Sequence, residues 1–195
     1  MFMLMQDSQM RQSLTIVLAL SCNLSVSADV ITTFDDAVWE SGVNEHVTIN
    51  FTAFADGTPI TDQYADMGIA FSGPSFVFAS VGFVNDGWGL HGPSGIRIHF
   101  DEPQSWIAVH HGGTALFKLY NNGELIGTSG FDPVGGIDSF LGVWSTIPFD
   151  EVFITTQPIF GPHVGIDDLH WGGVPAPGAL GLLGIAGFSS RRRRR

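Results

Sequence analysis

The sequence has a single cysteine, Cys22, which lies in the N-terminal stretch interpreted below as a leader. The body of the chain therefore has neither a disulfide nor a cysteine ligand for a metal ion. An alternative is that Cys22 is a lipidated cysteine, but the usual leucine three positions upstream is replaced by Ala19.

Basic residues are nearly absent from the middle of the chain. Only Arg97 and Lys118 lie between residues 29 and 174, against 18 carboxylates, which gives this span a formal charge of −16. Such an acidic body repels nucleic-acid phosphates and anionic membrane surfaces, and we expect no nucleic-acid partner. It suits divalent cations or neutral sugars, although solubility alone explains the acidity equally well.

Long runs of helix-forming residues are also missing, and no window shows an apolar stripe with a 3.6-residue period. Short segments instead alternate apolar and polar residues between Gly, Pro, Asn and Asp, and Asn121-Asn122-Gly123 is a strong signal for a tight turn. The predicted strands lie at 47–52, 68–72, 76–79, 96–100, 106–110, 115–120, 124–127, 151–156 and 164–171. This pattern predicts an all-β fold for residues 29–173, a single antiparallel β-sandwich of the jelly-roll type.

Residues 1–28 have the features of a secretory signal peptide. A basic Arg11 precedes an apolar core at 14–20, and Val26-Ser27-Ala28 places small residues where signal peptidase cuts, between Ala28 and Asp29. Met10 is an alternative translation start that gives a leader of more ordinary length.

The C-terminus, residues 174–195, combines three elements. Val174-Pro175-Ala176-Pro177-Gly178 is followed by an uncharged apolar run to Phe188 and then by five arginines, Arg191, Arg192, Arg193, Arg194 and Arg195. The apolar run is too short to cross a hydrocarbon core of about 30 Å as an unaided helix. An adjoining basic cluster, however, holds such a segment on the cytoplasmic side during export. We expect a short apolar helix with transient membrane association through residues 178–195; the alternative is a disordered basic tail.

This order of a proline-rich motif, an apolar segment and an arginine cluster resembles the PEP-CTERM sorting signal. The resemblance covers only residues 174–195, and Ala176 replaces the glutamate of the usual Val-Pro-Glu-Pro motif. It implies processing by an exosortase after export across the inner membrane of a Gram-negative bacterium. The protein would be membrane-anchored before the tail is cleaved, and would lie at the cell surface or in the extracellular matrix afterwards.

The body also resembles the lectin-like jelly-roll domains of exported bacterial proteins. The segments that carry this similarity are 64–71, 100–103, 119–123 and 165–169. The resemblance allows a structural calcium ion of the kind found in carbohydrate-binding sandwiches.

Two aspartate pairs are the best candidate ligands for Ca²⁺, which prefers six to eight oxygens. Asp35-Asp36 follows the first strand and Asp167-Asp168 lies in the last, and the first and last strands of a jelly roll often pair. Asp167 is the stronger candidate, because neighbouring residues on a strand face opposite ways and Asp168 then faces solvent. Aspartate is also common in turns for purely local reasons.

Histidines and tryptophans provide the remaining candidate sites. A transition-metal site is suggested by His110-His111 with His91 and His99 upstream, but adjacent strand residues cannot join one site, and a polar strand end is the simpler interpretation. Trp88, with Asn85 and Asp86 before it, is a candidate for stacking on a sugar ring. Trp39 and Trp144 also lie near predicted strand ends, although tryptophan is more often a core residue.

The sequence contains no nucleophile elbow and no phosphate-binding glycine loop. The leading hypothesis is an exported surface or matrix protein without catalytic activity, with exosortase, signal peptidase and a polysaccharide as partners and Ca²⁺ as a ligand. The alternatives are a secreted glycoside hydrolase or polysaccharide lyase on a jelly-roll scaffold, and a purely structural matrix component.

Overall fold

The computed structural model describes residues 28–43, 46–74, 77–81, 88–132, 135–156 and 163–173. They form one large antiparallel sheet of ten strands and one short α-helix, which confirms the prediction of a β-rich antiparallel fold. The predicted leader up to residue 27 and the tail after Gly173, with its expected helix, lie outside the described residues. In the described ranges no helix is long and apolar enough to cross a membrane.

The strands are β1 (Val30–Thr33), β2 (Val47–Ile49), β3 (Ile69–Ser72), β4 (Phe78–Val81), β5 (Trp88–Gly92), β6 (Ile96–Gly113), β7 (Leu116–Asn121), β8 (Glu124–Thr128), β9 (Gly136–Thr155) and β10 (Val164–Gly173). The helix α1 (Asp36–Gly42) follows β1, and a 3-10 turn (Ala65–Met67) precedes β3.

Two long strands, β6 and β9, form the centre of the sheet. Arg97 lies opposite Phe153 near one end of their ladder, and Ile107 lies opposite Val143 further along. The sequence predicted two separate strands at 96–100 and 106–110, but the structure joins them into one strand of 18 residues. Register irregularities on either side of Gln104 allow the strand to bend there without ending.

Each long strand has different neighbours at its two ends. The first half of β6 pairs with β3 and the second half with β10. Similarly, β9 pairs with β1 through 142–145 and with β7 through 151–155. The expected pairing of the first and last strands is wrong: β1 pairs with β9, whereas β10 pairs with β2, β5 and β6. The first strand is therefore separated from β10 by β9 and β6.

Both halves of the long strands contribute to one hydrophobic core. In the first half of β6 the fully buried core residues are Ile96 and Ile98, whereas in the second half they are Ile107 and Val109. The inward face thus changes from even to odd positions across the irregular stretch around Gln104. Burial of each such side chain contributes about 1.5–3 kcal/mol.

The helix α1 covers the other face of the sheet and was not predicted from the sequence. Asp35 begins it, because its side chain accepts a hydrogen bond from the Val38 N–H at 3.1 Å, as an N-cap residue does. Trp39 is completely buried in a second cluster with Trp106, Ala108 and Phe140. A helix of seven residues that buries one large side chain is too short to produce a recognisable apolar period.

Glycines on this face make room for the tryptophans. A Cβ added at Gly142 would overlap the Trp39 ring, and one added at Gly172 would overlap the Trp106 ring. A Cβ at Gly42 would lie 2.7 Å from Trp144 Cζ2. Close contact between the indole rings and the backbone of these glycines therefore holds α1 against the sheet.

The predicted tight turn is confirmed between β7 and β8. Asn122 and Gly123 have φ values of 51° and 78°, as the two central residues of a type I′ hairpin require. The Asn122 N–H also donates to Asp150 Oδ2 at 2.8 Å, which ties the turn to β9.

We expect Gly142→Ala to lower the free energy of unfolding by about 1–3 kcal/mol, because the new methyl group displaces Trp39 from its contact with the strand. Urea unfolding followed by tryptophan fluorescence measures this. Gly173→Ala is the matched control, since no atom lies within 4 Å of a Cβ there. Equal midpoints for the two variants would contradict the packing described for α1.

Candidate functional site

Three histidines converge on the sheet face beneath α1, and we call them with Trp39 the histidine cluster. The ring centroids of His46 and His170 are 5.1 Å apart, and those of His110 and His170 are 6.4 Å apart. Trp39 lies 5.2 Å from the His46 ring and 5.5 Å from the His170 ring. Of these three histidines, only His110 is a candidate from its sequence context.

Strand register explains the convergence. His170 on β10 lies opposite Thr48 on β2 and Ala108 on β6, so these three residues share one face of the sheet. His110 is two positions beyond Ala108 and returns to the same face. His46 immediately precedes β2, which brings it beside His170.

Two of the cluster's rings have polar neighbours. His170 Nδ1 is hydrogen-bonded to Thr48 Oγ1 at 2.9 Å. His110 Nδ1 lies 3.7 Å from Asp168 Oδ2. These neighbours restrict the orientation of the His170 and His110 rings.

The environment of the cluster keeps His170 neutral. Burial, together with the neighbouring His46 and His110, lowers the pKa of His170 to about 4, while Asp36 in α1 opposes the shift. At neutral pH this ring therefore acts as a hydrogen-bonding group and not as a cation.

The four candidate aspartates have separate environments. Asp35 caps α1, and Asp36 lies in the first turn of the helix, close enough to influence His170. Asp167 is 3% exposed, and its charge adds to the effect of burial in raising the pKa of Tyr64. Asp168 has a φ of 42° and lies at a register irregularity of β10.

The structure does not bring the four aspartates together at one point. Among the described residues, no group of three or more His, Cys, Asp or Glu side chains could hold a metal ion. Asp35 is already used as a helix cap, and the aspartates of β10 lie in different surroundings. Calcium binding therefore stays a prediction without a ligand set in this part of the chain.

The four histidines that the sequence suggested for a transition-metal site lie in separate parts of the structure. His110 belongs to the histidine cluster, whereas His111 is fully buried, with its Nε2 atom 3.7 Å from Asp132 Oδ2. His91 stacks on His163, with their Nε2 and Nδ1 atoms 3.2 Å apart. His99 contacts Ser72 and Glu151. Burial lowers the pKa of His111 to about 4, opposed by Asp132.

The tryptophans also differ from their sequence interpretation. Trp88 is the first residue of β5, is partly buried, and lies opposite Val81 of β4. Asn85 and Asp86 lie outside the described residues, so the sugar-binding loop stays a prediction. Trp39 is a core residue, and the partly buried Trp144 packs beside it. Because the Trp39 ring is completely buried, it has no surface on which a sugar could stack.

A shallow pocket of about 360 Å³ lies away from the histidine cluster. It is lined by Pro59, Ile60, Thr61, Phe71, Ser72, Gly73, Pro74 and Val77. None of these side chains is ionisable, so the pocket offers no acid or base to a substrate.

Comparison with known proteins identifies no relative: no family model, curated protein or solved structure matches this chain.

We expect stability to fall as the pH decreases from about 6.5 towards 4, because the unfolded chain protonates His170 and His111 before the folded chain does. His170→Gln should remove roughly 1–2 kcal/mol of this loss, allowing for solvent screening at a partly buried ring. Urea unfolding at pH 7.5, 6.5 and 5.5 measures the slope. The control is His163→Gln, at an exposed position outside the histidine cluster; equal slopes in the two variants would refute the contribution assigned to His170.

Proposed function

We propose that this chain is an exported cell-surface or extracellular-matrix protein without catalytic activity, processed by an exosortase. The observation that carries the proposal is the position of the sorting motif. Strand β10 ends at Gly173, and the motif Val174-Pro175-Ala176-Pro177-Gly178 begins at the next residue, followed by the apolar run and the arginines. A sorting signal that must be cleaved without damage to the folded body belongs at such a boundary.

The other end of the body supports the same organisation. The Asp29 N–H, the first of the proposed mature body, donates to Thr146 Oγ1 at 3.0 Å. The Thr146 N–H in turn donates to the Asp29 carbonyl at 3.2 Å. The residue directly after the proposed cleavage point is thus hydrogen-bonded to the sheet, as expected for the start of a folded body.

We infer that the ten-stranded sheet folds over on itself as a β-sandwich of the jelly-roll kind. The support is that the ladder of β6 and β9 has register irregularities, that both strands change neighbours along their length, and that both halves supply one common core. Sheets of about ten strongly twisted strands usually curl or split into two packed layers. Such a body has outward-facing strand surfaces. A neutral carbohydrate suits one of these surfaces as a ligand, because the acidic body does not repel it.

We expect the tail to control processing in a Gram-negative host that has an exosortase. The change Pro175→Ala should leave most of the protein as an unprocessed precursor in the membrane fraction, since recognition of the motif is lost while the arginines still retain the tail. Deletion of Arg191–Arg195 should leave the protein unprocessed but reduce its share in the membrane fraction, since retention is lost. Immunoblots of membrane, surface and medium fractions with an antibody against the body measure this.

Pro103→Ala, at an exposed position of β6, is the matched proline control and should be processed normally. An isogenic strain without the exosortase should accumulate the same precursor. Identical fractionation of the unmodified chain in the two strains would contradict the proposal.

A further inference from the structure

Both cations of the acidic body lie on one face of three neighbouring strands. Arg97 on β6 is opposite Phe153 on β9, which is opposite Lys118 on β7. Two positions away, His99, Glu151 and Tyr120 form a second row across the same strands. We call these six residues the cation–aromatic face.

This face points away from the hydrophobic core. The intervening residues Ile98, Leu119 and Val152 are fully buried, so the six alternate positions must face outward. The side chains of His99, Arg97 and Glu151 are 45%, 32% and 17% exposed, respectively. The other three are partly exposed. The face is therefore within reach of a ligand in solution.

Its polar groups are held in place by one another. Glu151 accepts from Arg97 Nη1 through one oxygen, and its other oxygen lies 3.1 Å from His99 Nδ1. His99 Nε2 is hydrogen-bonded to Ser72 Oγ at 3.0 Å. Groups fixed in this way lose little conformational entropy when they bind a ligand.

Aromatic rings support both cations. The Arg97 guanidinium carbon lies 4.9 Å from the Phe153 ring centroid and 5.6 Å from that of Tyr120. Lys118 Nζ lies 5.9 Å from the Phe153 centroid. Cations over aromatic rings gain electrostatic attraction that holds their N–H donors in position.

The charges on the face favour a neutral ligand. Glu151 compensates Arg97 locally, and the body as a whole carries a formal charge of −16, which repels an anionic polymer. What the face offers is a mixture of fixed donors, a carboxylate acceptor and ring surface. Sugar rings match this combination, because they present hydroxyls at their edges and apolar C–H groups on their faces.

We propose that the cation–aromatic face binds a neutral polysaccharide, with Tyr120 and Phe153 as contact surfaces and Arg97, Lys118 and Glu151 as hydrogen-bonding groups. The site differs from the loop around Trp88 that the sequence suggested. This proposal adds a binding site and a ligand class to the proposed function. It rests on the proposed function only for the presence of an extracellular polymer. Native gel retardation does not depend on processing, so failure of the binding test and failure of the sorting test are distinguishable.

The test is native gel electrophoresis of the full chain in gels containing dextran, hydroxyethyl cellulose or galactomannan. We expect retardation by at least one of these polymers, equally at 50 and 500 mM NaCl. Tyr120→Ala and Lys118→Gln should each weaken it at least about fivefold, as loss of a central contact does. Trp88→Ala is the matched aromatic control and should bind like the unmodified protein.

Circular dichroism of each variant verifies folding, and Tyr120→Phe, which keeps the ring, should retain most of the binding. Retardation by none of the three polymers would overturn the proposal. So would retardation only in polygalacturonate gels, or loss of binding in Trp88→Ala with Tyr120→Ala unaffected.

Discussion

The ladder between β6 and β9 is the constraint on which the rest of the fold depends. Four other strands, β1, β3, β7 and β10, pair directly with one of these two, and the remaining strands attach through β7 or β10. The two long strands keep the same relative register on both sides of the irregular stretch, since Arg97 opposes Phe153 and Ile107 opposes Val143. The ladder therefore positions both ends of the sheet, and with them the histidine cluster and the cation–aromatic face.

The two faces are built by different physical means. Beneath α1, indole rings lie directly on glycine backbone at Gly142 and Gly172, and burial keeps His170 neutral there. On the outward face of β6, β9 and β7, charges are retained and compensated by one another, as between Arg97 and Glu151. A change of side-chain size on the face beneath α1 therefore lowers the stability of the fold. On the cation–aromatic face, a change of charge or of ring surface instead alters the groups that are available to a ligand.

The sequence predicts local structure well and long-range arrangement poorly, for physical reasons. Alternation at 96–100 and the Asn122-Gly123 turn depend on neighbouring residues only, and the structure confirms both. The joining of 96–100 to 106–110 depends on pairing with β9, which no local pattern encodes. The sequence does not distinguish a capping aspartate from a metal ligand, because both roles use the same carboxylate, and the cap of α1 at Asp35 is visible only from its contact with the Val38 N–H. The histidine cluster was missed because His46, His110 and His170 are distant in the chain and meet through strand register.

The distribution of charge links the fold to the proposed route of export. Basic residues next to an apolar segment resist translocation, whereas acidic residues have little effect on orientation. In the proposed route Arg191–Arg195 would hold the end of the chain on the cytoplasmic side, whereas a body of this length passes the membrane largely regardless of its charge. Each cation retained in the body then requires another explanation. Arg97 is paired with Glu151 and lies over Phe153, and Lys118 lies near the same ring, so both serve one surface of the sheet. Two cations scattered at random over ten strands would not be expected to share one ring, and the proposed polysaccharide binding supplies a reason for their common position.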